Sequence, residues 1–141
     1  MQSTSTAPTL KVVDQPKTKG FRRPILEILD DLQKPIPARL IKSKSLKGNK
    51  IDFVPWYTLV RLLDFYCPGW DWQVKTHYCG ERTVVEGSLT IKAFEGDFTR
   101  QATGTEMSDV DSYGDPTSNS EAMSLRRCCA KFGLGLALWE K

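Results

Sequence analysis

The chain is poor in the residues from which most active centres are built. It has a single histidine, His77, so neither a two-histidine mechanism nor a histidine-rich metal site fits within one copy. Cys67, Cys79, Cys128 and Cys129 form no C-x-x-C pair. Two adjacent cysteines on a helix point about 100° apart, so buried free thiols are expected rather than disulfides or zinc. No G-x-x-x-x-G-K-[ST] loop is present, which argues against an ATP-driven motor of the P-loop kind. Gly133-Leu134-Gly135 is a lone G-x-G without a preceding strand or third glycine, and no G-x-S-x-G elbow marks a nucleophile. There is no run of 18 apolar residues, and the start lacks the apolar core of a secretory signal. The expectation is a cytoplasmic protein without a membrane partner, with no catalytic residues, metal or cofactor, that is not an enzyme.

What is there suits one domain of 141 residues, 40% apolar and 26% charged. The net charge of +3 hides an asymmetry, because residues 1–50 carry 11 Lys or Arg against 4 acids and residues 51–141 carry 9 against 13. A basic leading half suits an acidic partner such as nucleic acid, and a solvated lysine-rich tail gives the same count.

Residues 1–20, rich in Ser, Thr, Pro and Lys, read as a disordered basic arm, leaving 21–141 as the domain. After Pro24, the spacing of Ile25, Ile28, Leu29 and Leu32 predicts a short helix that Pro35 closes. An extended segment then runs through Arg39, Lys42, Lys44, Lys47 and Lys50, with a turn at Lys47-Gly48-Asn49. Asp52 to Tyr66 predicts a second helix starting at Pro55, and Cys67-Pro68-Gly69 breaks it.

Three alternating runs follow, turning at Gly80-Glu81-Arg82 and Glu95-Gly96-Asp97, which predicts an antiparallel meander. Trp70, Trp72, Val74, Thr76 and Tyr78 form the apolar face of the first run, and Val85, Leu89 and Ile91 that of the second. The third run, Phe98 to about Met107, is polar enough for a sheet edge or a subunit contact. The spacing of Trp56, Tyr57, Trp70 and Trp72 favours core packing over stacking on bases. The expected fold class is α+β, a three-stranded antiparallel meander followed by a long helix and preceded by helices.

Asp109 to Ser118 reads as a loop, with Ser118 or Asn119 capping the last helix and Ser118–Glu121 offering a capping box. Its carboxylates, Glu106, Asp109, Asp111 and Asp115, could gather Mg²⁺ for a metal-dependent nuclease, or simply solvate the loop.

The last helix, within Asn119–Gly133, segregates its residues. With Arg126 at zero, Arg127 falls at about 100° and Lys131 at about 140°, while Leu125, Cys128, Cys129 and Phe132 fall between about 200° and 300°. That separation suits a helix that grips phosphates, and it also describes an ordinary solvated face. Lys75, Arg82 and Arg100 on the meander are further candidate DNA contacts.

In that order, the pieces resemble the Rad-fifty-two-type single-strand annealing proteins, a superfamily that includes the bacterial DdrA proteins. VPWYTLVRLLDFYCPGWDWQV at Val54–Val74, GSLTIKAFEGDFTRQATGTE at Gly87–Glu106 and EAMSLRRCCAKFGLGLALWEK at Glu121–Lys141 carry the resemblance, over roughly residues 51–141. It implies a β-β-β-α core whose subunits join sheets into a homo-oligomeric ring, with single-stranded DNA in a cationic groove gripped by Arg126 and Arg127. It further implies ATP-independent annealing of complementary strands in homologous recombination or double-strand break repair, and recombinase or single-strand-binding partners. The setting would be bacterial and nucleoid-associated, or phage-encoded. The alternatives are the metal-dependent nuclease and a ring scaffold that binds no DNA.

Overall fold

The computed structural model describes residues 18–108 and 115–140. Two of its three helices start where proline pre-sets the backbone: α1, Ile25–Leu32, follows Pro24, and α2, Trp56–Tyr66, follows Pro55. Between them the extended segment turns at Lys47-Gly48 as expected, and its two arms pair, which the sequence reading did not contain. Strands β1, Lys42–Leu46, and β2, Asn49–Phe53, pair antiparallel in a hairpin. Lys47 and Gly48 both take positive φ, 51° and 81°, as a two-residue turn matched to strand twist requires. The polar Lys-Ser alternation of β1 gives no apolar face to read, and its burial is accordingly nil.

The meander forms as expected: β3, Asp71–Cys79, β4, Arg82–Ala93, and β5, Gly96–Met107, make one antiparallel sheet in the order β3-β4-β5. Along β4 every second residue from Thr83 to Ala93 is buried, so one face of the sheet is dry. The apolar face expected of β3 is only partly covered. Helix α3, Pro116–Lys131, packs on β5 and β4. Beyond the half-buried Trp72, β3 keeps Val74, Thr76 and Tyr78 exposed, Tyr78 to 74%. Trp56 and Tyr57 are likewise exposed rather than in the core, meeting edge-on at 5.9 Å, whereas Trp70 and Trp72 do pack against it. Helical spacing locates the apolar stripe of α2 at Leu59 and Leu63, and the first turn of the helix lies outside it.

Helix α3 starts earlier than Ser118. Asp115 is its N-cap, accepting from the Ser118 backbone N–H at 3.3 Å, and Pro116 sits in the first turn. The Ser118–Glu121 capping box does not form, because Ser118 lies within the first turn rather than at the N-cap, and Glu121 accepts from the Trp72 indole N–H at 2.9 Å. Asp109 and Asp111 lie outside the described residues.

Two glycines let α3 press onto the sheet. A Cβ on Gly104 would stand 1.9 Å from the Ser120 carbonyl oxygen, and one on Gly87 2.2 Å from Ser124 Oγ. At this range the buried hydroxyls of Ser120 and Ser124 reach the sheet carbonyls of Thr83 and Ala102, at 3.3 and 2.8 Å. Beneath them Leu89, Ile91, Leu125, Cys128, Cys129 and Phe132 join Ile28, Leu32, Leu59 and Leu63 in one core. Residues ahead of α1 tie it down: Arg23 donates to the Tyr66 carbonyl at 2.7 Å and pairs with Asp31 at 3.0 Å, and Arg22 donates to the Ala93 carbonyl at 2.9 Å.

Two outcomes follow from this packing. Gly104→Ala should destabilise the fold by about 3 kcal/mol, because the obstacle is helix backbone; an unchanged urea midpoint would mean that α3 lifts freely. Burial pushes the Cys67 thiol up to about 12 and raises Cys128 and Cys129 as well, whereas Cys79 is exposed. Near neutral pH a maleimide should therefore modify Cys79 alone in the native protein and all 4 cysteines after denaturation, counted by mass spectrometry.

Candidate nucleic-acid interface

The six candidate cations fall into three environments. Arg126 points from α3 toward the β1–β2 hairpin. Its guanidinium lies 5.5 Å from the centroid of Phe53, and Lys44 Nζ lies 5.3 Å from the same ring. These three residues border a groove of about 460 Å³ whose remaining walls are largely apolar, among them Ile51, Met123, Leu138 and Trp139. Burial lowers the Arg126 pKa from its ordinary value. Arg126 makes no hydrogen bond or ion pair within the described residues. One carboxylate, Asp52, also lines the groove, where it accepts from the Ser43 hydroxyl at 2.6 Å, and Lys44 and Arg126 bring two cations to the Phe53 ring.

Arg127 and Lys131 turn the other way, to β5. Arg127 Nη1 donates to the Thr103 carbonyl at 2.7 Å and to its hydroxyl at 3.2 Å, and Lys131 Nζ donates to the Gln101 carbonyl at 2.6 Å. With Lys75 they line a second groove of about 460 Å³ that crosses the sheet past Gln73, Glu86 and Ser88. Arg126 therefore does not share a surface with Arg127 and Lys131, although the helical wheel sets all three on one arc. The wheel gives directions from the axis but not what stands on either side, and here the hairpin stands on one and the edge of β5 on the other.

The last two cations bond within the chain. Arg100 stacks 5.0 Å over the Phe132 ring and donates to the Lys131 carbonyl, so it satisfies the last turn of α3. Arg82, at the far end of β4, donates to the Thr105 hydroxyl at 3.1 Å. His77 pairs with Glu86 across the strands. Of the acidic set, Asp115 caps α3, while Glu106 accepts from the neighbouring Met107 N–H at 3.2 Å. Phe53 was not singled out from sequence, because it reads there as the approach to a helix. Only the hairpin makes it a platform for two cations.

No protein-family model matches the chain. Two curated proteins of Arabidopsis thaliana do. The chain is 35% identical over 127 residues to "DNA repair RAD52-like protein 1, mitochondrial", covering 88% of itself and 72% of that protein. It is 39% identical over 129 residues to "DNA repair RAD52-like protein 2, chloroplastic", covering 88% of itself and 65% of that protein. Both are named for plant organelles, so the expected bacterial or phage setting finds no support in them. Among the described residues no helix is long and apolar enough to cross a membrane. Identity at this level over so much of both chains extends the resemblance to the whole domain, and the chain belongs to the RAD52-like DNA repair proteins.

Proposed function

We propose that this protein binds single-stranded DNA without sequence preference and anneals complementary strands, as a homo-oligomer, in recombination or double-strand break repair. The observation that carries the reading is Arg126, a half-buried guanidinium whose side chain has no hydrogen-bond or ion-pair partner among the described residues, held beside Lys44 on Phe53 at the mouth of an open groove. A phosphate oxygen offers the Arg126 guanidinium a charge-assisted hydrogen bond, with Lys44 beside it as a second cation. The curated relatives are named as DNA repair proteins, which accords with that ligand.

Annealing needs phosphate contacts that leave base edges open to a second strand, and cations above an apolar groove provide contacts of that kind. Trp56 and Tyr57, exposed at the start of α2, offer faces on which bases stack, worth about 1–3 kcal/mol each. The chemistry is binding alone, with no bond made or broken and no nucleotide cofactor. Recombinase or single-strand-binding proteins are partners in the same reading.

Arg126→Ala should weaken oligo-dT binding and slow annealing, and should lower the slope of log affinity against log salt by about 0.7, the contribution of one single-strand phosphate contact. Arg82→Ala, on a cation bonded to its own strand neighbour, should leave that slope unchanged. Annealing at the native rate by a folded Arg126→Ala protein would overturn the assignment.

A further inference from the structure

The β1–β2 hairpin stands open over the end of α3. Its register pairs Lys42 with Phe53 and Lys44 with Ile51, and cross-strand partners share a face, so Lys44, Leu46, Ile51 and Phe53 are presented together to the groove of about 460 Å³. Facing them are Met123 of α3 and, beyond it, Leu138 and Trp139. Two apolar walls in contact would bury one another. Here Leu46 is 52% exposed and Trp139 51%, although both line the same groove. Large apolar side chains left bare in a groove of this size, within the range of about 300–1,000 Å³ usual for ligand sites, mark a surface that something else covers.

The charge of the groove is gathered at one end. Lys44 Nζ and the Arg126 guanidinium lie 5.3 and 5.5 Å from the centroid of Phe53. The hairpin carries Lys42, Lys44, Lys47 and Lys50 against Asp52, and Asp52 already accepts from the Ser43 hydroxyl at 2.6 Å. An occupant that complements the whole groove therefore joins an apolar body to negative charge at the Phe53 end. A phosphate backbone supplies only the second. Apart from Phe53 and Trp139 the apolar walls carry no ring, so they give a base little to stack on, and a strand held for annealing keeps its base edges open to a second strand.

A peptide supplies both. Carboxylate side chains bond to guanidinium and ammonium groups as phosphate does, and large apolar side chains beside them fill an aliphatic groove. We propose that the groove between the hairpin and the end of α3 docks a peptide segment of a partner protein in which carboxylates stand beside large apolar side chains: the carboxylates meet Lys44 and Arg126, and the apolar side chains fill the space between Leu46, Met123 and Trp139. The chain's own residues 1–17 hold one acid, Asp14, so the charge that the Phe53 end calls for comes from another protein. That Arg126 and Lys44 also take phosphate rests on the DNA-binding reading above; the apolar half of the site does not. With those two cations shared, peptide and strand exclude one another, and each lowers the affinity for the other by the same factor. The partner is released as DNA is loaded.

The test is fluorescence anisotropy of the full chain with a fluorescein-labelled, C-terminally amidated peptide, Asp-Asp-Asp-Leu-Leu-Phe. Binding should weaken about tenfold, equivalent to about 1.4 kcal/mol, when asparagines replace the aspartates or alanines replace the apolar residues. Leu46→Ser, at an exposed position on the hairpin, should weaken it by a similar factor and leave the affinity for oligo-dT unchanged. Leu26→Ser, on a leucine of α1 that is 77% exposed outside the groove, should change neither. Added oligo-dT should displace the peptide from the wild type. No binding of the peptide, or equal affinity of the wild type and Leu46→Ser, overturns the site. Peptide and oligo-dT bound together overturn the exclusion. If the wild type binds no oligo-dT, the function proposed above falls, and the Leu46→Ser comparison still decides the peptide site. Two results hand the groove to another occupant and so refute the proposal. Dissociation of a wild-type oligomer by Leu46→Ser in sedimentation velocity assigns it to a second copy, and a gain of peptide affinity on Val12→Ser/Val13→Ser assigns it to residues 1–17.

Discussion

The contact on which the other features depend is the approach of α3 to β4 and β5 over Gly87 and Gly104. Neither position has room for a methyl group, since the helix backbone and the Ser124 hydroxyl already occupy it. This closeness sets the height of every side chain on α3. It lets Ser120 and Ser124 spend their hydroxyls on sheet carbonyls, which keeps two polar residues buried without loss. It also brings Arg127 and Lys131 down to the edge of β5, where a higher helix would leave them in solvent.

Two neighbouring arginines acquire opposite characters from that one placement. About 100° of helical rotation separates them, which is enough to send Arg126 under the hairpin and Arg127 around the edge strand. The Arg126 side chain is half-buried and has no hydrogen-bond or ion-pair partner among the described residues, so it can take an anion without breaking a bond to them. Arg127 is satisfied by two oxygens of its own chain and must break those bonds to take a phosphate. Charge alone does not distinguish them; their hydrogen-bond accounts do.

The parts of the fold governed by short-range signals were legible in the sequence. Pro24 and Pro55 marked the starts of α1 and α2, alternation marked β4, and the arc of Leu125, Cys128, Cys129 and Phe132 marked the buried side of α3. The turn at Lys47-Gly48 was legible as well, but the pairing of β1 with β2 was not, because β1 is polar and exposed along its whole length and offers no apolar face to read. The start of α3 was misplaced because an Asp-Pro pair outranked the Ser-x-x-Glu pattern behind it. At the site, the identity of Arg126 and Arg127 could be read from the chain, but not their separation. That separation comes from the hairpin carrying Phe53 and from the outward carbonyls of β5, and both are tertiary facts.

On the DNA-binding reading proposed above, the difference between the two arginines also orders events on a strand. A phosphate arriving at Arg126 and Lys44 meets cations that need no rearrangement, so that groove offers first contact to a single copy. A phosphate reaching Arg127 and Lys131 must first displace the Gln101 and Thr103 carbonyls, and the bonds broken subtract from what it gains. Under that reading initial capture belongs to Arg126, Lys44 and the hairpin, and contact at Arg127 and Lys131 follows at the expense of their bonds to β5.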